Sequence, residues 1–151
     1  MVAIFVVRSL WRSQRRGIVG GSLTGTLPES AIMADVWRPP AAGDSVLVFQ
    51  AAYLDLLLSK EKSLEVRPYK LQSKYYFLGC RGRVLGVALF GQPELVADAE
   101  RWRFLAPEHH VSTADPMYKR TWVHRVMRIA PAPHPLRYVH PKGAVGSFHW
   151  R

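Results

Sequence analysis

The sequence is short of acidic residues and of cysteine. Of its 151 residues, 21 are Lys or Arg and only 11 are Asp or Glu, which gives a formal net charge of +10. No acidic residue follows Asp115. This balance favours a polyanionic partner, of which nucleic acid is the commonest. The single cysteine, Cys80, excludes an internal disulfide and a zinc site built from several cysteines, and is typical of a reducing compartment.

Other absences narrow the function further. The chain has no uninterrupted apolar run of about 18 residues, which a membrane-spanning helix requires. Neither Gly20-Gly21 nor the glycines of residues 79–82 belong to a phosphate-binding loop, because the lysine of such a loop is missing. His109 and His110 are adjacent, so one metal ion cannot easily bind both, and no cysteine or carboxylate accompanies the other histidines. We therefore expect no metal, no cofactor and no membrane partner, and an intracellular, soluble, monomeric protein of the cytoplasm or nucleus.

Residues 1–32 differ in composition from the rest of the chain. They are basic and rich in hydroxyl residues, and their first acidic residue is Glu29. Such a composition is typical of an organellar transit peptide, which would make the protein mitochondrial. A disordered basic extension, or sequence upstream of a true start at Met33, explains it as well. Residues 33–151 form the predicted domain, and 48% apolar residues are enough for a hydrophobic core.

Short apolar segments separated by turn signals predict an α+β domain. The spacing of Tyr53, Leu54, Leu57 and Leu58 predicts one early helix over residues 51–60. Most of the other segments read as strands, with helical or loop insertions over residues 92–116 and an extended proline-rich connector after residue 130. We therefore expect a small mixed β-barrel with one early helix. The predicted strands cover residues 45–50, 63–67, 75–78, 83–90 and 121–129.

The run from Lys62 to Arg67 is the most informative segment. In a strand, Glu65 and Arg67 point to one face, while Leu64 and Val66 point to the other. A charged row opposite an apolar row predicts a small polar pocket beside the core. A structural alternative stays open, in which Glu65 and Arg67 form an ion pair and Lys62 is solvated on a turn.

These residues resemble the ASCH domain (activating-signal-cointegrator homology) of the PUA-like superfamily. The signature of that family is Gly-x-Lys-x-x-Glu-x-Arg, and Lys62, Glu65 and Arg67 match it, whereas Lys60 stands at the glycine position. The segment 82–90 is similar to the next strand of the family, and residues 138–150 are similar to its closing segment. The resemblance spans residues 45–151 and is densest over 45–90. It implies a PUA-like β-barrel with a cleft near the motif, suited to RNA or a modified nucleobase.

The leading hypothesis is an RNA-binding module that recognises single-stranded RNA or a modified base. Aromatic side chains would stack on bases, and arginines of the basic tail would contact phosphates. The predicted nucleic-acid-binding residues are Lys62, Glu65, Arg67, Tyr75, Tyr76, Arg120, Trp122, Arg125 and Arg128.

Two alternatives stay open. Some ASCH proteins are amidohydrolases or proposed ribonucleases, which implies catalysis by Lys62 and Glu65. In the amidohydrolases a lysine, a threonine and a glutamate act together; here Glu65 stands at the threonine position and the strand 83–90 has no acid. The other alternative is a structural component of a ribonucleoprotein or a coregulator-type protein that contacts other proteins.

Overall fold

A computed structural model describes residues 36–144 and 146–151 of the chain. This part contains one mixed sheet of six strands and three short helices. The strands are β1 (Ser45–Val48), β2 (Leu64–Arg67), β3 (Tyr75–Cys80), β4 (Arg83–Val96), β5 (Thr121–Arg137) and β6 (Ser147–His149). The helices are α1 (Ala51–Leu58), α2 (Ala99–Phe104) and α3 (Ala106–His109). The predicted α+β class is confirmed.

The sheet is open, not closed into the barrel that we expected. Its strand order is β2-β5-β4-β3-β1-β6, so β2 and β6 are the two edges. Strand β1 runs parallel to β3, and the other neighbours are antiparallel. The long strands β4 and β5 pair with register shifts, which bend a sheet and increase its twist. Within the described residues, β2 forms no backbone ladder with β1 or β6, so the bent sheet does not close.

Strands β4 and β5 are longer than predicted. The proline-rich segment after residue 130 reads as a connector because proline cannot donate a ladder hydrogen bond. In the structure Pro131, Pro133 and Pro135 belong to β5. Strand β2 pairs only with residues 122–125 of β5, so the prolines lie where β5 has β4 on one side and no strand on the other. An edge of this kind tolerates proline.

Hydrophobic clusters cover both faces of the sheet. Helix α1 buries Leu54 and Leu57 against one face, together with Phe90 and Tyr76. On β2, Leu64 and Val66 pack in a separate cluster around Trp102 of α2. A third cluster joins β1, β3 and β4 to the chain end at Phe148 and Trp150. The predicted alternation along β2 therefore places its apolar residues in a core and leaves the other face of this strand for Glu65.

The described residues contain no helix that is long and apolar enough to cross a lipid bilayer. The predicted extension at residues 1–32 lies outside the described part of the chain.

Helix α1 ends at Leu58, and Lys60, two residues later, stands where the ASCH signature has glycine. Lys60 has a φ of 65°, in the left-handed region, and its N–H donates to the Leu57 carbonyl at 3.1 Å. Two residues later the Lys62 N–H donates to the Leu56 carbonyl at 2.9 Å, so the chain turns sharply into β2. Glycine adopts a positive φ without steric cost, which explains the residue of the signature. Here a lysine adopts the same conformation.

Glycine at position 60 should be more stable than alanine at the same position. Both substitutions remove the lysine side chain with its interactions, so their difference isolates the backbone conformation. We expect the free energy of unfolding of Lys60→Gly to exceed that of Lys60→Ala by about 0.5–1 kcal/mol, since relief of the left-handed strain exceeds the entropy that glycine adds to the unfolded chain. Urea denaturation measures this difference. The matched control is the pair Glu61→Gly and Glu61→Ala: φ is not positive there, so glycine should be the less stable of the two. A lower stability for Lys60→Gly than for Lys60→Ala would contradict the interpretation.

Candidate functional site

The three motif side chains meet where α1 passes into β2. Lys62 follows the left-handed turn at Lys60, and Glu65 and Arg67 lie on the same face of β2, opposite Leu64 and Val66. The tight exit from α1 brings the lysine beside the strand, so its ammonium reaches the carboxylate three residues later.

Glu65 lies between two cations. Its Oε1 is 2.8 Å from Arg67 Nε, and its Oε2 is 3.2 Å from Lys62 Nζ. Only 4% of Glu65 and 3% of Lys62 is exposed, so water screens these charges poorly and each depends on its partners. The ammonium also lies 4.5 Å from the centre of the Tyr53 ring. The structural alternative is therefore right about the Glu65–Arg67 ion pair and wrong about Lys62, which is buried and not solvated.

Arg67 links the edge strand β2 to β1. Its Nη2 donates a hydrogen bond to the Val48 carbonyl at 2.9 Å, while its Nε faces Glu65. The guanidinium carbon lies 4.7 Å from the centre of the Phe49 ring, a cation–π contact. One side chain thus connects β2 to β1, although these two strands are not neighbours in the sheet. Among the described residues, no acceptor pairs with Nη1.

A cavity of about 380 Å³ lies against this charge cluster. Lys62, Glu65 and Arg67 form its polar part. Its remaining wall is mainly aromatic and apolar. The principal members of this wall are Phe49, Tyr53, Tyr69, Met117 and Tyr118. Tyr118 is 38% exposed and Met117 is 42% exposed, so these two residues lie at the mouth. The cavity combines one net positive charge with several ring faces.

His124 lies beside Glu65 on the neighbouring strand. The two residues are direct partners in the β2–β5 pairing, and His124 is fully buried. Its Nε2 accepts a hydrogen bond from the Leu71 N–H at 2.9 Å, so the ring proton of the neutral form is on Nδ1. Nδ1 is near the Glu65 backbone but makes no hydrogen bond of good geometry. Burial lowers the pKa of His124, and protonation would set two donors against each other at Nε2.

The structure places two predicted aromatic residues away from the cavity. Tyr75 opens β3 and is 43% exposed, but it does not line the cavity. Tyr76 is buried in the core against Phe90, with ring centres 5.9 Å apart, and burial raises the pKa of its hydroxyl. The ring of Tyr76 is therefore not accessible to a base, and we no longer assign it to a binding surface. The continuous apolar run of β3 after Tyr75, which is typical of a strand buried on both faces, could have indicated this burial.

The predicted residues of the tail are also dispersed. Trp122 is the cross-strand partner of Arg67 and carries Lys70 Nζ 5.7 Å from its ring centre, so it lies next to the charge cluster. Arg120 and Arg128 are exposed. Arg125 pairs with Leu64 on the opposite face of the sheet and forms an ion pair with Glu108 at 2.6 Å. Arg125 is thus neutralised and does not line the cavity.

Sequence reasoning missed most of the aromatic wall. Tyr53 belongs to the apolar stripe of α1 and was expected in the core, but it contacts Lys62 at the cavity. Phe49 and Tyr69 flank β1 and β2, where the chain leaves each strand, and Tyr118 lies in an irregular loop. A weak signal existed in the aromatic residues immediately after each of these strands. Nothing in the spacing of Tyr118 indicates its position.

Comparison with known structures identifies the fold. The chain is similar to an ASCH structure from Zymomonas mobilis (TM-score 0.57, 13% identity, 72% of this chain and 88% of that chain). It is also similar to a serine-to-alanine variant of the ASCH protein from that organism (0.56, 14%, 75% and 92%) and to a tyrosine-to-phenylalanine variant (0.56, 14%, 72% and 91%). No protein-family model matches the sequence, and no curated protein matches it significantly. The chain has the fold of an ASCH domain, as the signature predicted.

Removing the charge of Glu65 should strongly destabilise the protein. Glu65→Gln keeps the shape of the side chain but leaves Lys62 and Arg67 without a counter-charge in a buried position, and breaking a buried pair costs about 3–5 kcal/mol. Urea denaturation followed by tryptophan fluorescence measures the loss. The matched control is Glu94→Gln, which breaks the exposed pair with Arg101 and should change stability little. Equal effects of the two substitutions would show that the buried cluster is not a structural centre.

The buried histidines should make the protein less stable in mild acid. Burial lowers the pKa values of His109 and His124 below the ordinary 6.5. The unfolded chain therefore binds more protons as the pH falls through 6.5, which favours unfolding. We expect the urea midpoint to decrease from about pH 7.5 to about pH 5. Glu94 and Glu108 have pKa values lowered from 4.5 by their arginine partners. Their protonation therefore destabilises the protein only below this pH window.

Substitution of His124 tests how much of the pH dependence of stability comes from this histidine. His124→Gln supplies an uncharged acceptor in place of Nε2 and should reduce the dependence of the midpoint on pH, whereas His134→Gln, on an exposed part of β5, should not. An unchanged pH dependence in His124→Gln would refute the assignment.

Proposed function

We propose that this protein is an RNA-binding module whose cavity holds a base of single-stranded RNA. The observation that carries the proposal is the pairing of a buried cationic cluster with an aromatic-walled cavity, in a chain of net charge +10. The volume of about 380 Å³ lies in the ordinary range of small-ligand cavities, about 300–1,000 Å³. The resemblance of the fold to ASCH domains is consistent with this class of ligand.

The two parts of the cavity suit the two parts of a nucleotide. Aromatic rings stack on unpaired bases of any identity, and each stack contributes about 1–3 kcal/mol. Tyr118 is exposed at the mouth and can meet a base without disturbing the core. Arg67 keeps Nη1 for a ligand, because its Nη2 donates to the Val48 carbonyl and its Nε is buried 2.8 Å from Glu65 Oε1 without forming a hydrogen bond of good geometry. A guanidinium N–H can donate to a phosphate oxygen or to a carbonyl on a base edge.

Exposed arginines extend the proposed interface beyond the cavity. Arg120 and Arg128 are exposed on the last long stretch of the chain and, within the described residues, have no acidic partner. Such residues neutralise phosphates and make binding depend on salt. Arg125 contributes less, because Glu108 already compensates its charge. Trp122 lies between Arg120 and Arg128 in the sequence and is half-buried.

The ion pairs support binding over hydrolysis. A general base needs a free lone pair directed at a substrate, whereas the Lys62 ammonium lies 3.2 Å from Glu65 Oε2 and 4.5 Å from the centre of the Tyr53 ring. Both oxygens of Glu65 face cations, so neither is placed to take a proton from water. The cluster is therefore arranged to present fixed charge to a ligand.

Tyr118→Ala tests the proposal at its most accessible point. Loss of one stacking surface should weaken binding of a short single-stranded RNA by about 1–3 kcal/mol, measured by fluorescence anisotropy with the full-length chain. Tyr118 is 38% exposed, so its truncation removes some packing, and urea denaturation checks that the variant is folded under the conditions of the titration. Phe104→Ala is the matched control: this aromatic residue is 71% exposed and lies outside the cavity.

A second RNA, with the same backbone but abasic nucleotides, separates stacking from charge attraction. We expect the native chain to bind the abasic RNA less tightly than the base-containing RNA. The native chain and Tyr118→Ala should bind the abasic RNA equally well. If Tyr118→Ala and Phe104→Ala bind base-containing RNA as well as the native chain does, the cavity is not the base site. If the native chain binds no RNA at low salt, the proposed function is wrong.

A further inference from the structure

A second concave region lies at the tip of the β3–β4 hairpin. It is an open depression of about 450 Å³, and three of its six lining residues are arginines: Arg81, Arg83 and Arg137. All three are exposed, and within residues 36–144 and 146–151 none of them forms an ion pair. None of its lining residues belongs to the cavity beside Glu65.

The hairpin turn carries an unfavourable residue. Arg81 and Gly82 are the two residues between the paired positions Cys80 and Arg83, and both have positive φ, 48° and 73°. A two-residue hairpin with this geometry favours Asn-Gly, because asparagine tolerates the left-handed conformation better than a long side chain does. An arginine in the first position is strained, and asparagine would form the same turn with less strain.

The adjoining strands carry a second unfavourable arrangement. Arg83 of β4 and Arg137 of β5 are direct cross-strand partners, so their side chains leave the same face of the sheet side by side. Like charges directly opposite each other destabilise a strand pair. Within the described residues, no acidic side chain offsets this repulsion. Two local costs, strain at Arg81 and repulsion between Arg83 and Arg137, therefore converge on one depression.

An anion in the depression would offset the repulsion between Arg83 and Arg137, and a contact with the Arg81 guanidinium would compensate for the strain that the turn keeps. Guanidinium groups bind phosphate oxygens through paired N–H donors, and three of them around one concave surface match the three or four oxygens of a phosphate. We propose that Arg81, Arg83 and Arg137 form a phosphate-binding site. The phosphate is that of an RNA backbone, and this assignment rests on the proposed function. A free phosphate compound offers the same chemistry, and the experiment below distinguishes the two sources.

The first arm measures thermal unfolding of the full-length chain, with and without inorganic phosphate, at constant ionic strength in chloride. In the absence of phosphate, Arg81→Asn and the Arg83→Gln, Arg137→Gln double variant should each unfold about 2–4 °C above the native chain, because strain or repulsion is removed. Phosphate should raise the midpoint of the native chain and of Arg103→Gln, a control arginine on α2. It should not raise that of the double variant. Equal stabilisation of all four proteins by phosphate, or none of the native chain, overturns the site.

The second arm measures affinity for single-stranded RNA at several salt concentrations. Each phosphate that is no longer neutralised reduces the slope of log affinity against log salt by about 0.7, so the double variant, which loses a site for one phosphate, should lose about 0.7 and Arg103→Gln nothing. Base-containing and abasic RNA should be affected equally, unlike the effect of Tyr118→Ala. If phosphate stabilises the native chain but the double variant keeps the native slope, the RNA assignment is overturned. If no RNA binds at all, the proposed function fails, while the first arm still decides whether the arginines bind phosphate.

Discussion

The carboxylate of Glu65 is the centre on which the open side of this fold depends. A buried glutamate is stable only with compensating charge, and Lys62 and Arg67 supply it from the end of a helix and from the same strand. Because Arg67 also binds the Val48 carbonyl, the charge cluster determines how the edge strand approaches β1. The same ion pairs that stabilise the fold thus shape the cavity beside it.

Sequence reasoning succeeded where a local pattern determines the outcome. Alternation along β2 separated Leu64 and Val66 from Glu65 and Arg67, and the motif identified the ASCH fold. It was less successful where tertiary context decides. The openness of the sheet depends on which edges pair, and Pro131 reads as a strand breaker unless the missing neighbour of β5 is known. Tyr118 reaches the cavity through an irregular loop, which no periodicity describes.

The lysine at position 60 illustrates the difference between a motif and the conformation that it encodes. A signature glycine records a requirement for positive φ, and the chain here meets that requirement with a residue that a sequence comparison would count as a mismatch. The structure retains the turn, the buried lysine after it and the strand that follows. Similarity to known proteins is accordingly found in the fold, at 13–14% identity, and no family model matches the sequence.

The hydrogen bond from Arg67 to Val48 has a mechanical consequence. Along this side of the sheet, the edge strand is joined to β1 by a side chain and not by a backbone ladder. A backbone ladder holds two strands together through several hydrogen bonds, whereas here one guanidinium makes the connection. A ligand that competes for that guanidinium would relax the spacing of the two strands, and one that adds a bond to it would tighten the spacing.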